Sequence, residues 1–426
     1  MGRGRRWGLG ARSPREPSAP REGYDVSVTP SASQATRLVE EAVEAGGLER
    51  GPADWLAANL GDPQVLGAVQ AGAHEAKTRA QGDVVSFSRN VFIPLTNLCR
   101  DRCAYCTFAK QPDSPEARTY TLAEVAELTK GGVQMGCIEA LFCLGDKPEI
   151  AYRAHRDWLA GQGYRSTTDL LVQGCKVSFE GGMLPHTNAG ILDQEEMLAL
   201  RRFNPSMGLM LESTSPRLRG KGQAHQYAPD KDPKLRLRMH EEAGELKIPF
   251  TTGMLLGIGE NDEERVDTLF AIRQLDDRYA HIQEAIIQPF HPKPGTRMRW
   301  AAALPDAAVI GWVAMARLVL GPGVQVQAPP NLAPGLMGEL MKGGVSDWGG
   351  VSPITVDYIN PEAPWPALVA LRDQTEAAGQ KLVERLPVYP RHLADPDFFD
   401  PAVLEATRAL AEDTGYARPR SSLEAA

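Results

Sequence analysis

Residues 91–106 read VFIPLTNLCRDRCAYC, a run rich in β-branched and aromatic side chains that leads straight into a loop with three cysteines. The run VFIPLT (91–96) predicts a strand, and the pattern that follows it decides the architecture. A capping box, Thr121 with Glu124, opens a helix. Strand-like and helical runs then alternate: IEALFCL (138–144) with a helix near 148–162, LPHTN (184–188) with one at 193–203, SMGLMLE (206–212) with one at 232–244. FTTGMLLGIGE (250–260) pairs with a helix at 262–276 and HIQEAIIQPF (281–290) with one at 305–320, while VQVQAPP (324–330) and VSDWGG (345–350) complete eight strands. Such alternation implies parallel strands joined by crossover helices. Eight units close into an α/β fold of the (β/α)8 TIM-like barrel type, whose active site lies at the C-terminal strand ends. An open doubly wound sheet is the alternative, and no Gly-x-Gly-x-x-Gly after the first strand supports it.

Around the barrel, assigned to 84–395, the reading places a disordered tail rich in Arg, Gly and Pro at 1–30, a helical lead-in at 31–83, and a C-terminal helix and tail at 396–426. The chain has 46 Lys and Arg against 54 Asp and Glu, a formal charge of −8. That balance, with no basic stripe, argues against nucleic acid as a partner. Every apolar run is broken by Gly, Pro or charge before the roughly 20 residues a membrane helix needs, so no membrane partner is expected. Six cysteines without an apolar signal-peptide core favour a reducing, cytoplasmic setting. Cys137, Cys143 and Cys175 read as small buried hydrophobes.

Cys99, Cys103 and Cys106 form a Cys-x-x-x-Cys-x-x-Cys on the loop after the first barrel strand. Three thiolates on one short loop can converge on a metal centre. A closed structural zinc site wants four ligands, usually as two separated pairs, and no His or Cys follows at a suitable spacing. A [4Fe–4S] cluster held through three of its irons leaves the fourth open to bind a substrate. A zinc knuckle completed by a remote ligand is the competing reading and would make the chain an interaction module.

The cysteine spacing, with aromatic Tyr105 before the last cysteine, resembles the radical S-adenosylmethionine (SAM) superfamily. Further segments narrow the resemblance: EALFCLGD (139–146), LPHTNAG (184–190), LESTS (211–215), PFTTG (249–253), QVQAPPN (325–331) and DWGGVSP (347–353). In this order, over about 88–390, they resemble the first (CofG) subunit of 7,8-didemethyl-8-hydroxy-5-deazariboflavin (FO) synthase.

The resemblance implies that the open iron chelates SAM and that an electron from the reduced cluster cleaves it to methionine and a 5′-deoxyadenosyl radical. The radical would act on an adduct of tyrosine and a ribitylamino-diaminouracil made by a CofH-type partner subunit. Hydrogen is taken, the phenol-derived ring closes onto the pyrimidine, and ammonia leaves, a carbon–nitrogen lyase reaction. A low-potential electron donor is also implied. For the cofactor the resemblance nominates Tyr105, Gly145 with Asp146 for the methionyl amino group, Glu212 for ribose, Arg236 and Arg238 for the carboxylate, and Ile258 beneath adenine. His186, Asn188, Gln288, Asn331 and Asp347 are candidates for a uracil edge and a polyol, and Trp348 or Phe290 for aryl walls. Two segments depart from the family pattern. QGCKVSFEGG (173–182) does not read as the expected helix, and QPFHPK (288–293) carries Pro289 and His291 where Asn and Arg are expected. Both are expected to adjoin the pocket. A radical SAM enzyme acting on another substrate, tyrosine-lyase or biotin-synthase-like, is the alternative within the superfamily.

Overall fold

A computed structural model describes residues 32–419. The tail expected at 1–30 and the last seven residues lie outside the described part.

Eight parallel strands follow the expected order: β1 (Val84–Pro94), β2 (Glu139–Cys143), β3 (Leu184–Asn188), β4 (Ser206–Gly208), β5 (Phe250–Leu256), β6 (Ile282–Pro289), β7 (Gln325–Gln327) and β8 (Asp347–Val351). Each pairs with the next, and β1 pairs with both β2 and β8, which closes the barrel. β1 begins seven residues before the expected start. Its first half is polar because it faces a polar lumen: Ser86, Ser88 and Asn90 point inward while Val85, Phe87, Val91 and Ile93 are buried on the other side. β4 is shorter than SMGLMLE suggested. The ladder ends at Gly208 and resumes only as a single bridge from Glu212, at φ 64, to Met254.

The capping box at Thr121 and Glu124 forms with both reciprocal bonds. Residues 173–182 correct the sequence expectation: Thr167–Glu180 is a helix, capped by Ser166. Gly174 interrupts its apolar pattern because a Cβ there would come within 3.1 Å of Phe142 on β2, so glycine lets helix and strand approach closely. The lead-in contains a helix the sequence reading missed, Arg50–Ala58, between Ala32–Ala45 and Pro63–Gln81. These helices explain the nearly uniform burial of Asp306–Leu320, which is sandwiched between the lead-in and the barrel. No described helix is long and apolar enough to cross a membrane.

After the barrel, β9 (Lys381–Glu384) runs alongside the first half of β1 and delivers Arg385 to the N-terminal end of the lumen. There Arg385 meets three carboxylates: Asp347 at 2.8 Å, Glu284 at 3.1 Å and Glu139 at 3.9 Å. Tyr389 donates to Glu284 at 2.8 Å. Leu386, Val388, Leu393, Phe398, Phe399 and Val403 close this end as an apolar plug. Two nominated residues are therefore reassigned. Asp347 begins β8, opposite the catalytic mouth, and is taken up by Arg385, Ser86 and the Gly349 amide. Trp348, the next residue along the pleat, donates its indole N–H to Thr375 of the outer helix Leu368–Ala377 and borders the lumen without offering it that N–H.

Three carboxylates share one guanidinium in this buried floor, and burial pushes Glu284 up to about 7. Replacing Arg385 with Met strands the carboxylates and should lower the unfolding free energy by about 3–5 kcal/mol in chemical denaturation. A carboxyl raised from 4.5 to about 7 contributes stability below its unfolded pKa and loses it as pH rises through the folded value. Glu284→Gln should accordingly flatten the decline in stability between about pH 5 and pH 8; an unchanged profile would contradict this account of the floor.

Candidate active site

At the C-terminal strand ends a cavity of about 280 Å³ is lined by Cys99, Cys103 and Cys106 together with Tyr105, Gly145, Asp146, Asn188, Glu212, Arg236, Gln288 and Phe290. The β1–β2 pairing builds its centre. Cys99 Sγ accepts the Asp146 amide N–H at 3.2 Å, and the Asp146 carbonyl accepts the Arg100 amide at 3.1 Å. Gly145 is required by this contact, since a Cβ there would lie 2.0 Å from the Leu98 carbonyl oxygen. The far side of the cysteine loop is pinned by Ala104 N–H to Ala224 O (2.8 Å) and Met298 N–H to Ala104 O (3.1 Å).

Asp146 accepts the Ile191 amide at Oδ2, whereas Oδ1 is buried and has no hydrogen-bond partner. Gly190, at φ +79, leaves room for that carboxylate: its Cβ would lie 2.4 Å from Oδ2. Burial, with Asp230 and Asp101 nearby, raises the Asp146 carboxyl to about 7. A cationic group placed against Oδ1 relieves both the missing bond and the charge burial. Burial likewise pushes the Cys99 thiol up to about 12 and raises Cys103 well above its ordinary range, with Lys231 opposing. These thiols become thiolates when a metal takes the proton's place. Three sulfurs and a neighbouring carboxylate with one unpaired oxygen line the same cavity and fit an iron–sulfur cluster and an ammonium-bearing ligand.

Glu212 lines the cavity with both oxygens engaged. Tyr105 donates to Oε2 at 2.5 Å, His225 Nε2 lies 3.1 Å from the same oxygen, and Lys231 Nζ donates to Oε1 at 2.5 Å. Burial opposes ionisation, but Lys231 and His225 outweigh it and hold the carboxyl well below its usual range. Arg236 is buried at the wall and donates to the Met210 and Asp230 carbonyls. Arg238 does not join it: two residues on, it lies across the helix, its side chain is 56% exposed, and it pairs with Glu242 at 3.5 Å. Ile258 sits one layer back, buried with Leu218 and Ala224 behind Leu255 and Phe290.

Of the residues nominated for substrate, Asn188 and Gln288 line this cavity and also a deeper chamber, while His186 lines only the deeper one. His186 Nδ1 lies 2.7 Å from Ser206 Oγ, and burial lowers its pKa to about 3, so the ring is neutral. Asn331 is displaced from the site. Its Nδ2 holds Asp357 and the Ala363 carbonyl, both at 3.0 Å, and so fastens the loop after β8. The departure at 173–182 lies outside the barrel and lines neither chamber, whereas Pro289, His291 and Lys293 of the other departure do line the cavity. His225, Asp230 and Lys231 went unrecognised because 213–231 has no periodic pattern and Asp230 to Asp232 look only like the start of a helix, and Asp101 because the cysteines on either side of it drew the reading.

The model of the Radical SAM superfamily matches residues 93–272. The FO synthase of Mycobacterium tuberculosis (strain H37Rv) is 47% identical over 375 residues, covering 85% of this chain and 43% of the relative. This chain therefore spans less than half the length of the mycobacterial relatives it matches. The 7,8-didemethyl-8-hydroxy-5-deazariboflavin synthase of Methanopyrus kandleri is 46% identical over 336 residues, 79% of this chain and 100% of the relative. Among solved structures, the [FeFe]-hydrogenase maturase HydG superposes with a TM-score of 0.68 at 16% identity, over 84% of this chain and 76% of that one. Methylornithine synthase PylB gives 0.62 at 17%, over 81% and 97%. At such identities these two speak for the fold alone.

Anaerobic reconstitution with iron and sulfide should give a brown protein, and Cys103→Ala should lose the colour and most of the iron. Stoichiometric zinc without iron would contradict the cluster. Arg238→Ala should leave SAM affinity unchanged, as its exposed position requires. With one relative matched from end to end at 46% identity and the cysteine loop held at the mouth of the barrel, the chain belongs to the 7,8-didemethyl-8-hydroxy-5-deazariboflavin (FO) synthase family of radical SAM enzymes, whose cofactors are a [4Fe–4S] cluster and SAM.

Proposed function

We propose that this protein carries out the ring-closing half of FO formation, converting the tyrosine–diaminouracil adduct to FO with release of ammonia, methionine and 5′-deoxyadenosine. The observation that carries the reading is the end-to-end match to the Methanopyrus synthase. When bound, the cluster and SAM supply a 5′-deoxyadenosyl radical that abstracts hydrogen from the adduct.

In this reading Cys99, Cys103 and Cys106 hold the cluster, and Asp146 Oδ1 takes the methionyl ammonium beside the Gly145 backbone. Arg236 lends positive charge to the carboxylate side. Glu212 is oriented by Tyr105, His225 and Lys231 so that a ribose hydroxyl approaches a carboxylate that is already ionised and fixed in position. The ring system of the adduct lies between Asn188 and Gln288, and Leu209, Leu255 and Phe290 exclude water from it. A CofH-type subunit supplies the adduct, and a low-potential donor supplies the electron. The mycobacterial synthases extend well beyond the stretch matched here, in keeping with a second activity in the same chain. All six cysteines are free, which suits a reducing cytoplasmic compartment.

Incubation with a CofH-type enzyme, tyrosine, the diaminouracil, SAM and a reductant should yield a fluorescent deazaflavin. Formation of 5′-deoxyadenosine without that fluorescence would keep the enzyme class and overturn the substrate.

A further inference from the structure

Beneath the outer cavity the lumen continues into an inner chamber of about 160 Å³, with Asn188, Ile286, Gln288, Ile359 and Asn360 forming the neck between them. Its floor is the ion-paired set of Arg385, Glu139 and Glu284, already engaged with one another. Around the floor four polar atoms have no hydrogen-bond partner: Oδ1 and Nδ2 of Asn90, Oε1 of Gln283 and Nε1 of Trp365. Asn90 is 0% exposed and Gln283 is 1% exposed. Gln283 spends its amide hydrogens on Thr251 and the Pro387 carbonyl, so only its oxygen is left over. Buried polar groups are ordinarily paired, and four exceptions around one space point to a ligand that pairs them.

The three residues that carry them come from different walls: β1, β6, and the loop after β8. A flat heterocycle presents its donors and acceptors in one plane, and the phenol-derived ring presents a single hydroxyl at its rim. A polyol carries hydroxyls at successive carbons, each able to donate and accept. Oδ1 of Asn90 and Oε1 of Gln283 need donors, whereas the Trp365 indole needs an acceptor, and a hydroxylated chain meets both demands. The chamber has room for about five waters at roughly 30 Å³ each, a scale that suits a short chain of hydroxyl-bearing carbons. Phe92, Leu141 and Leu332 also line the chamber, so apolar walls occur in both spaces and the choice rests on the unpaired polar atoms.

We propose that the inner chamber is a polyol subsite: the substrate enters with its ribityl chain leading, the hydroxyls pair with Asn90, Gln283 and Trp365, and the ring system stops at the neck under the cysteine loop. The proposal rests on the adduct being the substrate. The orientation makes Asn90 and Gln283 positioning residues, since they grip the end of the molecule that does not react.

The test is equilibrium binding to the cluster-loaded protein with SAM and without reductant, so that no turnover occurs. The probes are the purified adduct and an analogue whose ribityl chain is replaced by ethyl. Wild type should bind the ethyl analogue at least about tenfold more weakly, as lost polar pairings in a closed site require. Gln283→Met and Asn90→Leu should each weaken binding of the full adduct and shrink the discrimination between the two probes, while SAM affinity stays as in wild type. Because the comparison of probes needs no variant, it stands even where a substitution harms folding. Equal affinity of wild type for both probes, or full discrimination retained by both folded variants, would overturn the subsite. Turnover of the adduct to FO together with equal probe affinities would remove the subsite and leave the proposed function standing. Failure of wild type to bind either probe or to form FO would remove both.

Discussion

The contact between the ends of β1 and β2 governs the chemistry of this protein. It places the Cys99 sulfur on the Asp146 amide and leaves the Asp146 carboxylate oxygen facing the same space as the other two cysteines. The contact exists only because residue 145 is glycine, and Gly190, in the loop after the next strand, makes room for the carboxylate. Parallel pairing in register from Asn90 with Glu139 to Pro94 with Cys143 carries the two loops to the same height. The cysteine loop and the buried carboxylate are thus set side by side by backbone geometry.

Two polar systems lie along the barrel axis and differ in kind. The floor is closed: Arg385 meets its carboxylates, Tyr389 satisfies Glu284, and an apolar plug covers the set from below. The upper lumen is open in the sense that matters for binding, with unpaired atoms on Asp146, Asn90 and Gln283. Burial makes both costly in isolation. The floor offsets that cost within the chain, which suits a stabilising role, while the upper lumen leaves it to be offset by ligands.

Much of this was legible in the sequence because its signals are local. Strand runs such as LPHTN and the capping box at Thr121 depend on neighbouring residues, and the three cysteines occupy one loop. What the sequence hid was long-range or masked by function. The first half of β1 reads as polar loop because its inward residues serve the lumen. Asp347 and Trp348 lie near a motif of the family, yet the entry of Arg385 from a strand beyond the barrel decides that Asp347 belongs to the floor. Arg236 and Arg238 are indistinguishable by composition, and only helix rotation separates the buried one from the exposed one. The companions of Glu212 come from a stretch with no periodicity, and only the fold brings His225 and Lys231 beside it.

The claim beneath the whole account is that the chain offers a cluster three thiolates and no fourth ligand. Electron paramagnetic resonance of the reduced, anaerobically reconstituted protein, recorded with and without SAM, addresses it most directly. A cubane signal whose g values shift when SAM is added is the expected result, since SAM then occupies the open iron. A signal indifferent to saturating SAM, with the cluster's fourth iron held by a side chain of the protein, would contradict it.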